Sequence, residues 1–117
     1  MKVQSIRSHQ QNEVTMDGAC GARMRMLVGP DDGATNFHMR HFEVEPDGHT
    51  PHHQHDYEHE ILVLAGVGVA RSEQGDRPFT AGDVIFVPAN EMHQFVNTGR
   101  QPAEFICLIP APKTCAT

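Results

Sequence analysis

No stretch of the chain approaches the roughly 20 consecutive apolar residues that a membrane-spanning helix requires. The amino terminus, Met1-Lys2-Val3-Gln4-Ser5, has none of the apolar core of a secretory leader. The expectation is a cytoplasmic protein with no membrane partner. Positive charge is equally thin: nine Lys and Arg stand against fifteen Asp and Glu, for a formal net charge of −6. The cations are scattered rather than gathered into a stripe, which argues against nucleic acid as a partner. The acidity favours solubility. Cysteine is sparse as well. Cys20, Cys107 and Cys115 make an odd set with no CxxC pair, which argues against a disulfide framework or a zinc knuckle. Helix signals are poor, and neither an internal repeat nor a low-complexity segment is visible.

What the chain does have is a succession of short β-like stretches punctuated by Gly and Pro. Ala22 to Val28 alternates, with Met24, Met26 and Val28 on one face and Arg23, Arg25 and Leu27 on the other. Phe37 to Glu45 reads as a second strand, closed by Pro46-Asp47-Gly48. Glu60 to Ala65 is an apolar run ending at Gly66, and Val67 to Ser72 continues to a polar hairpin loop, Glu73-Gln74-Gly75-Asp76. Val84 to Val87, His93 to Val96 and Ala103 to Ile109 complete seven or eight strands, the signature of an all-β sandwich or barrel. A length of 117 residues suits one domain, with a core barrel at about 20–110. The polar arm, residues 1–15, and the tail, 111–117, are read as peripheral, the arm being loose or serving as an edge or dimer strand.

The abundant residue is histidine: nine in all, seven of them between His38 and His59. In the segment Gly48-His49-Thr50-Pro51-His52-His53-Gln54-His55-Asp56-Tyr57-Glu58-His59-Glu60, the residues His53, His55 and His59 share strand parity. A continuous extended segment would aim all three imidazoles one way. Neutral imidazole is the commonest protein ligand for borderline divalent metals. Three such rings converging in an interior are costly unless something satisfies their nitrogens. A single His-x-His pair would read as a polar loop that merely titrates. A second feature downstream shifts the balance, Gly82-Asp83-Val84-Ile85-Phe86-Val87-Pro88-Ala89-Asn90-Glu91-Met92-His93-Gln94-Phe95-Val96-Asn97. Here a strand stops at Pro88, turns at Asn90, which tolerates a left-handed backbone, and resumes at His93.

Together these two segments resemble the paired motifs of the cupins, G-x5-H-x-H-x3,4-E-x6-G and G-x5-P-x-G-x2-H-x3-N. Gly82, Pro88, His93 and Asn97 match the second, with Asn90 at its middle glycine. The first departs twice. Its opening spacer from Gly48 to His53 is one residue short, and histidine stands at the usual glutamate. Glu60 is a rival for that position. Six residues separate His59 from Gly66 as the motif asks, whereas Glu60 leaves five, and Glu60 has the opposite parity to His53 and His55. His59 is therefore assigned.

The resemblance covers roughly residues 36–110 and implies a double-stranded β-helix, or jelly-roll, barrel. With His59 in place the chain is similar to small cupins that hold one divalent transition metal on four histidines, here His53, His55, His59 and His93. Manganese is the first expectation, iron or copper next, and nickel or zinc compatible. Cupins often pair through edge strands, so a homodimer is expected.

Four neutral imidazoles leave a divalent ion its full charge, where three histidines and a glutamate would leave half. Four ligands on an octahedral ion also leave two positions open, suited to oxidation or Lewis-acid chemistry. The leading expectation is an oxygenase-type oxidoreductase acting on a small organic substrate. A metal-dependent isomerase or lyase, with Glu58, Tyr57 or a spare histidine as base, and a non-catalytic module for small ligands are the alternatives. Around the site, Phe105, Cys107 and Ile109 share a face, so Cys107 either lines the cavity or is a small core hydrophobe. Phe95 has the parity of His93 and either walls the pocket or is core. Arg40 and His41 point oppositely, and each is either a surface residue or a reach toward a substrate anion. Met24, Met26 and Met39 are read as core, His49 and His52 as solvated.

Overall fold

The alternation of apolar and polar residues resolves, in a computed structural model describing residues 1–112, into nine antiparallel strands. They are β1 (Gln11–Glu13), β2 (Cys20–Val28), β3 (Phe37–His49), β4 (His59–Ala65), β5 (Val67–Ser72), β6 (Gly75–Thr80), β7 (Val84–Val87), β8 (His93–Asn97) and β9 (Ala103–Pro110). Cys115, with most of the tail read as peripheral, lies outside the described residues. The strands follow the order β6-β5-β8-β3-β9-β4-β7, with β2 alongside β3 and β1 on the free side of β2. The sheet curls on itself as an all-β jelly-roll barrel. No helix among the described residues is long and apolar enough to cross a membrane.

Period-two burial places the core. On β9 the residues Ala103, Phe105, Cys107 and Ile109 are buried while Glu104, Ile106 and Leu108 are only partly so. On β4, His59, Ile61 and Val63 point inward and Leu62 and Leu64 point out. Each large apolar side chain so buried contributes about 1.5–3 kcal/mol. Asn97, the last residue of the second motif, is 2% exposed. Its Nδ2 donates to Val44 O and Gln101 O, each at 2.8 Å, and its Oδ1 accepts from Gly99 N at 2.8 Å. One amide thus closes the turn after β8 and ties it to β3.

Several local expectations are corrected. β3 does not stop at Pro46-Asp47-Gly48 but bends through it to His49, with Asp47 at a φ of 65°. The bend takes up a register shift, since Ala22 faces Val44 and Cys20 faces His49. Gly48 is required there because a Cβ would stand 2.7 Å from Cys20 O. A second shift between Met26 and Val28 reverses the facing of the strand. Leu27 is therefore buried at 5%, and Met26 lies outside at 38%. β6 begins inside the supposed hairpin loop, at Gly75. Of the alternatives for the arm, the edge strand is the one found: Gln11–Glu13 pairs with β2.

Candidate metal centre

The histidine segment does not run as one extended strand. After β3, Thr50 is pinned to β8 by its backbone N–H donating to Phe95 O at 2.9 Å and its Oγ1 accepting from Phe95 N at 2.8 Å. The chain then leaves the sheet at Pro51. His53 returns to it for a single bridge with His93, each backbone N–H donating to the other's carbonyl, at 3.1 and 2.9 Å. A bend at Asp56 and Tyr57 follows, and the strand resumes only at His59. The shared parity of His53, His55 and His59 therefore does not arise from a continuous strand. The loop and the bridge bring the rings together instead. On the other side Asn90, at a φ of 68°, donates its N–H to His55 O and turns the chain so that β8 begins at His93.

The side-chain nitrogens of His53, His55 and His93 lie within 4.8 Å of one another. His59 is outside that group of three but packs on two of its rings, with centroids 5.2 Å from His55 and 4.9 Å from His93. His53 Nε2 and His55 Nε2 face each other at 3.1 Å. Two buried rings also show which nitrogen has no protein partner. His93 Nδ1 lies 2.9 Å from Glu91 O and must donate to it, which leaves Nε2 a lone pair. His59 Nδ1 lies 3.2 Å from Cys107 Sγ, and His59 Nε2 is buried with no hydrogen-bond partner. A buried nitrogen without a partner is costly. Arg40 Nη2 also lies 3.4 Å from His59 Nδ1, so the thiol and the guanidinium together hold the ring with its Nε2 left free of any protein partner. The donor set suits a borderline divalent ion.

Burial keeps all four rings neutral. Desolvation is the main cause for each. It lowers the pKa of His53 to about 4 and that of His59 to about 3, with neighbouring rings and Arg40 adding to it, and lowers those of His55 and His93. Neutral imidazole is the ligating form. Burial likewise pushes the Cys107 thiol up, against the pull of Arg40.

The rings line one side of a cavity of about 180 Å³ that Arg40, Phe95, Phe105 and Cys107 also line. Glu60 is elsewhere, on an outer groove with Glu58, whose hydrogen bond raises the Glu60 pKa. Arg40 is on the cavity wall, not the surface, and Cys107 faces the cavity while being 2% exposed. His41 is not a surface residue either. It is 0% exposed on the opposite face of β3, where its Nε2 meets Glu104 Oε1 at 2.8 Å. Arg7 of the arm reaches that same oxygen at 2.9 Å. Among the cavity residues not anticipated, Phe42 was signalled by its two-residue offset from Arg40. Val14 and Met16 carried no signal: they fall in the polar amino-terminal region, and the fold brings them to the wall through Val14 N donating to Ala22 O at 2.9 Å.

An all-β jelly roll with an imidazole-lined cavity between its motif strands defines a class of small barrel, and the comparisons give the family. Residues 40–109 match the Cupin_2 family, described as the cupin domain, and the chain belongs to it. The polyketide cyclase RemF from Streptomyces resistomycificus is 35% identical, with a TM-score of 0.91 over 96% of this chain and 80% of that one. A predicted oxalate decarboxylase from Thermotoga maritima is 27% identical, with a TM-score of 0.83 over 95% of this chain and all of that one. The 1-methylthio-D-xylulose 5-phosphate methylsulfurylase of Rhodospirillum rubrum is 27% identical over 89 residues, which are 76% of this chain and 56% of that enzyme. The chain thus spans little more than half the length of that curated relative.

Proposed function

We propose that this cupin, a single domain acting in the cytoplasm, binds one divalent transition metal on His53, His55, His59 and His93. The ion serves as a Lewis acid toward a small carbonyl compound. The observation that carries this reading is the composition of the cavity wall. It holds four imidazoles and an arginine and, among the described residues, no carboxylate, with Met24, Phe42, Phe95 and Phe105 supplying apolar surface. When bound, the ion withdraws electrons from a carbonyl oxygen. Glu91 O holds the His93 ring, and Cys107 Sγ with Arg40 Nη2 holds the His59 ring, each at Nδ1. With no carboxylate base in the wall, the proton would have to be acidic enough for solvent water to take it, as it is between two carbonyl groups. A β-dicarbonyl substrate fits that demand, and the likeness to a polyketide cyclase, at 35% identity, supports it.

The second reading, an oxygenase, is favoured by the neutral donor set, which leaves the ion its charge and two open positions. Oxygen dependence separates the two. Manganese is the first metal to load, then iron and copper, with zinc as the redox-silent control. With a 1,3-diketone, turnover is expected in the absence of O₂, with zinc supporting it as well. Turnover that requires O₂ and only iron or copper would replace this reading with the oxygenase.

A homodimer is part of the proposal. Among the described residues β7 ends the sheet with no further partner, and Val84 and Phe86 are 76% and 58% exposed beside Leu62. An apolar edge of this kind is normally covered. Sedimentation velocity is expected to give a dimer that the paired substitutions Val84→Glu and Phe86→Lys dissociate. A wild-type monomer at micromolar concentration would refute it.

A further inference from the structure

The other charge in the cavity has no counter-charge. Arg7, Arg23 and Arg71 each pair with a carboxylate, and Arg25 donates to His9 O at 3.1 Å. Arg40 has none of these. Its Nη2 lies 3.2 Å from Cys107 Sγ and 3.4 Å from His59 Nδ1, and its Nε is buried with no partner. Among the described residues no carboxylate approaches it within 4.0 Å, and its guanidinium lies 4.9 Å from the centroid of the Phe42 ring. A half-buried cation beside a thiol and an imidazole, with its Nε out of water and unpaired, is an expensive arrangement unless an anion completes it. The N–H groups of a guanidinium form a planar fork that matches a carboxylate, and the Arg40 side chain lines the cavity.

We propose that Arg40 is the substrate's anion-binding residue, and that the substrate is a small monocarboxylate with a flat apolar body. This rests on the Lewis-acid reading only for the second end of the molecule, the carbonyl directed at the ion. The surroundings select a carboxylate over a phosphate. A phosphate oxyanion is usually met by several donors or a nest of backbone N–H groups. Here the wall offers one guanidinium and, beside the imidazoles, a single hydroxyl, that of Thr50. Its oxygen accepts from Phe95 N and its one proton is left to donate, so the donors are fewer than a phosphate oxyanion usually meets. Phe42, Phe95 and Phe105 form a stacked and tilted series with centroids 5.3 and 5.4 Å apart, a wall for a planar group. The volume of about 180 Å³ is below the ~300–1,000 Å³ of sites for drug-sized ligands, so the body is small.

The test measures binding of benzoate, benzamide and phenyl phosphate to zinc-loaded and to chelated protein by calorimetry. Wild type is expected to prefer benzoate to both others in either state. In Arg40→Gln the affinity for benzoate is expected to fall about thirtyfold, to the level of benzamide, with zinc content and circular dichroism unchanged. Arg40→Lys, which keeps the charge but not the fork, is expected to retain part of the preference and guards against a folding defect in the glutamine variant. If Arg40→Gln keeps the preference while loaded with zinc, the ion is the anion's seat. The proposal then falls and the metal reading stands. If the chain binds no metal yet chelated wild type prefers benzoate and Arg40→Gln does not, the metal reading falls and Arg40 stands. Tighter binding of phenyl phosphate than of benzoate overturns the carboxylate assignment.

Discussion

Alanine at His93 or His59 is expected to strip the purified chain of bound divalent metal and to lower turnover on the order of 100-fold or more, whereas alanine at Glu60 leaves both unchanged. Replacing the outer partners of metal-ligating histidines alone typically costs 10–100-fold, so loss of a ring itself exceeds that. The two alanines differ in what they leave behind. His93 is held in the sheet by backbone bonds to His53, and those bonds survive loss of the ring. The barrel is therefore expected to keep its circular dichroism while three rings remain around a vacancy. His59 is the more informative position. Its ring is 4% exposed, its Nε2 has no partner, and the chain's departure from the usual glutamate falls on it. Glu60 lies beyond the wall, in the groove with Glu58 and Leu108. Metal content by mass spectrometry decides the matter. Retention of metal by His59→Ala together with its loss in Glu60→Ala would make the acid the fourth ligand and refute the four-histidine site.

His59 could be told from Glu60 in the sequence by its spacing from Gly66, and the two face opposite ways as neighbours on β4. The parity shared with His53 and His55 does not carry over, because the segment between them is not a strand. β9 alternates from Ala103 through Ile109 as read, while β4, read as an apolar run from Glu60, begins one residue earlier and alternates from His59 through Val63. Legibility failed where the period is broken or the burial one-sided. The bulge near Leu27 inverted the end of β2, because one extra residue exchanges the two faces. β6 has only Phe79 buried, so its sequence looks like a loop. His41 looked like a surface residue because the Arg25 and Glu104 that enclose it come from neighbouring strands, while Arg7 reaches across from the arm. The candidate site was legible as residue types at motif spacing, three of whose rings, His53, His55 and His93, the fold gathers. Its mode of assembly was not. Thr50 and Asn90 place His53, His55 and His93 through backbone hydrogen bonds that leave no periodic trace in the sequence. The same holds for Val14 and Met16, which are brought to the cavity by a contact between the arm and β2.

Acid should expose the cost of the buried rings. In the metal-free protein the His59 pKa is lowered from 6.5 to about 3, chiefly by desolvation. Between those values the unfolded chain takes up a proton that the folded chain refuses, so stability is full above pH 6.5 and declines as pH falls toward 3. Within that window one such ring costs at most about 1.4 kcal/mol per pH unit. His53 acts in the same direction over the narrower range from 6.5 to about 4, with less weight because it is only half-buried. His55 and His93 are lowered too. Urea midpoints of chelated protein taken at steps from pH 7.5 to 4.5 are expected to fall steadily below pH 6.5. His59→Leu removes the largest contribution and should flatten the slope by on the order of 1 kcal/mol per pH unit. Bound metal makes the wild-type dependence steeper, since protons and the ion compete for the same nitrogens and each ring must be neutral to ligate. A chelated wild type whose midpoint is flat down to pH 4.5 would mean that these rings reach water and accept protons in the folded state, and the dry imidazole cluster would have to be abandoned.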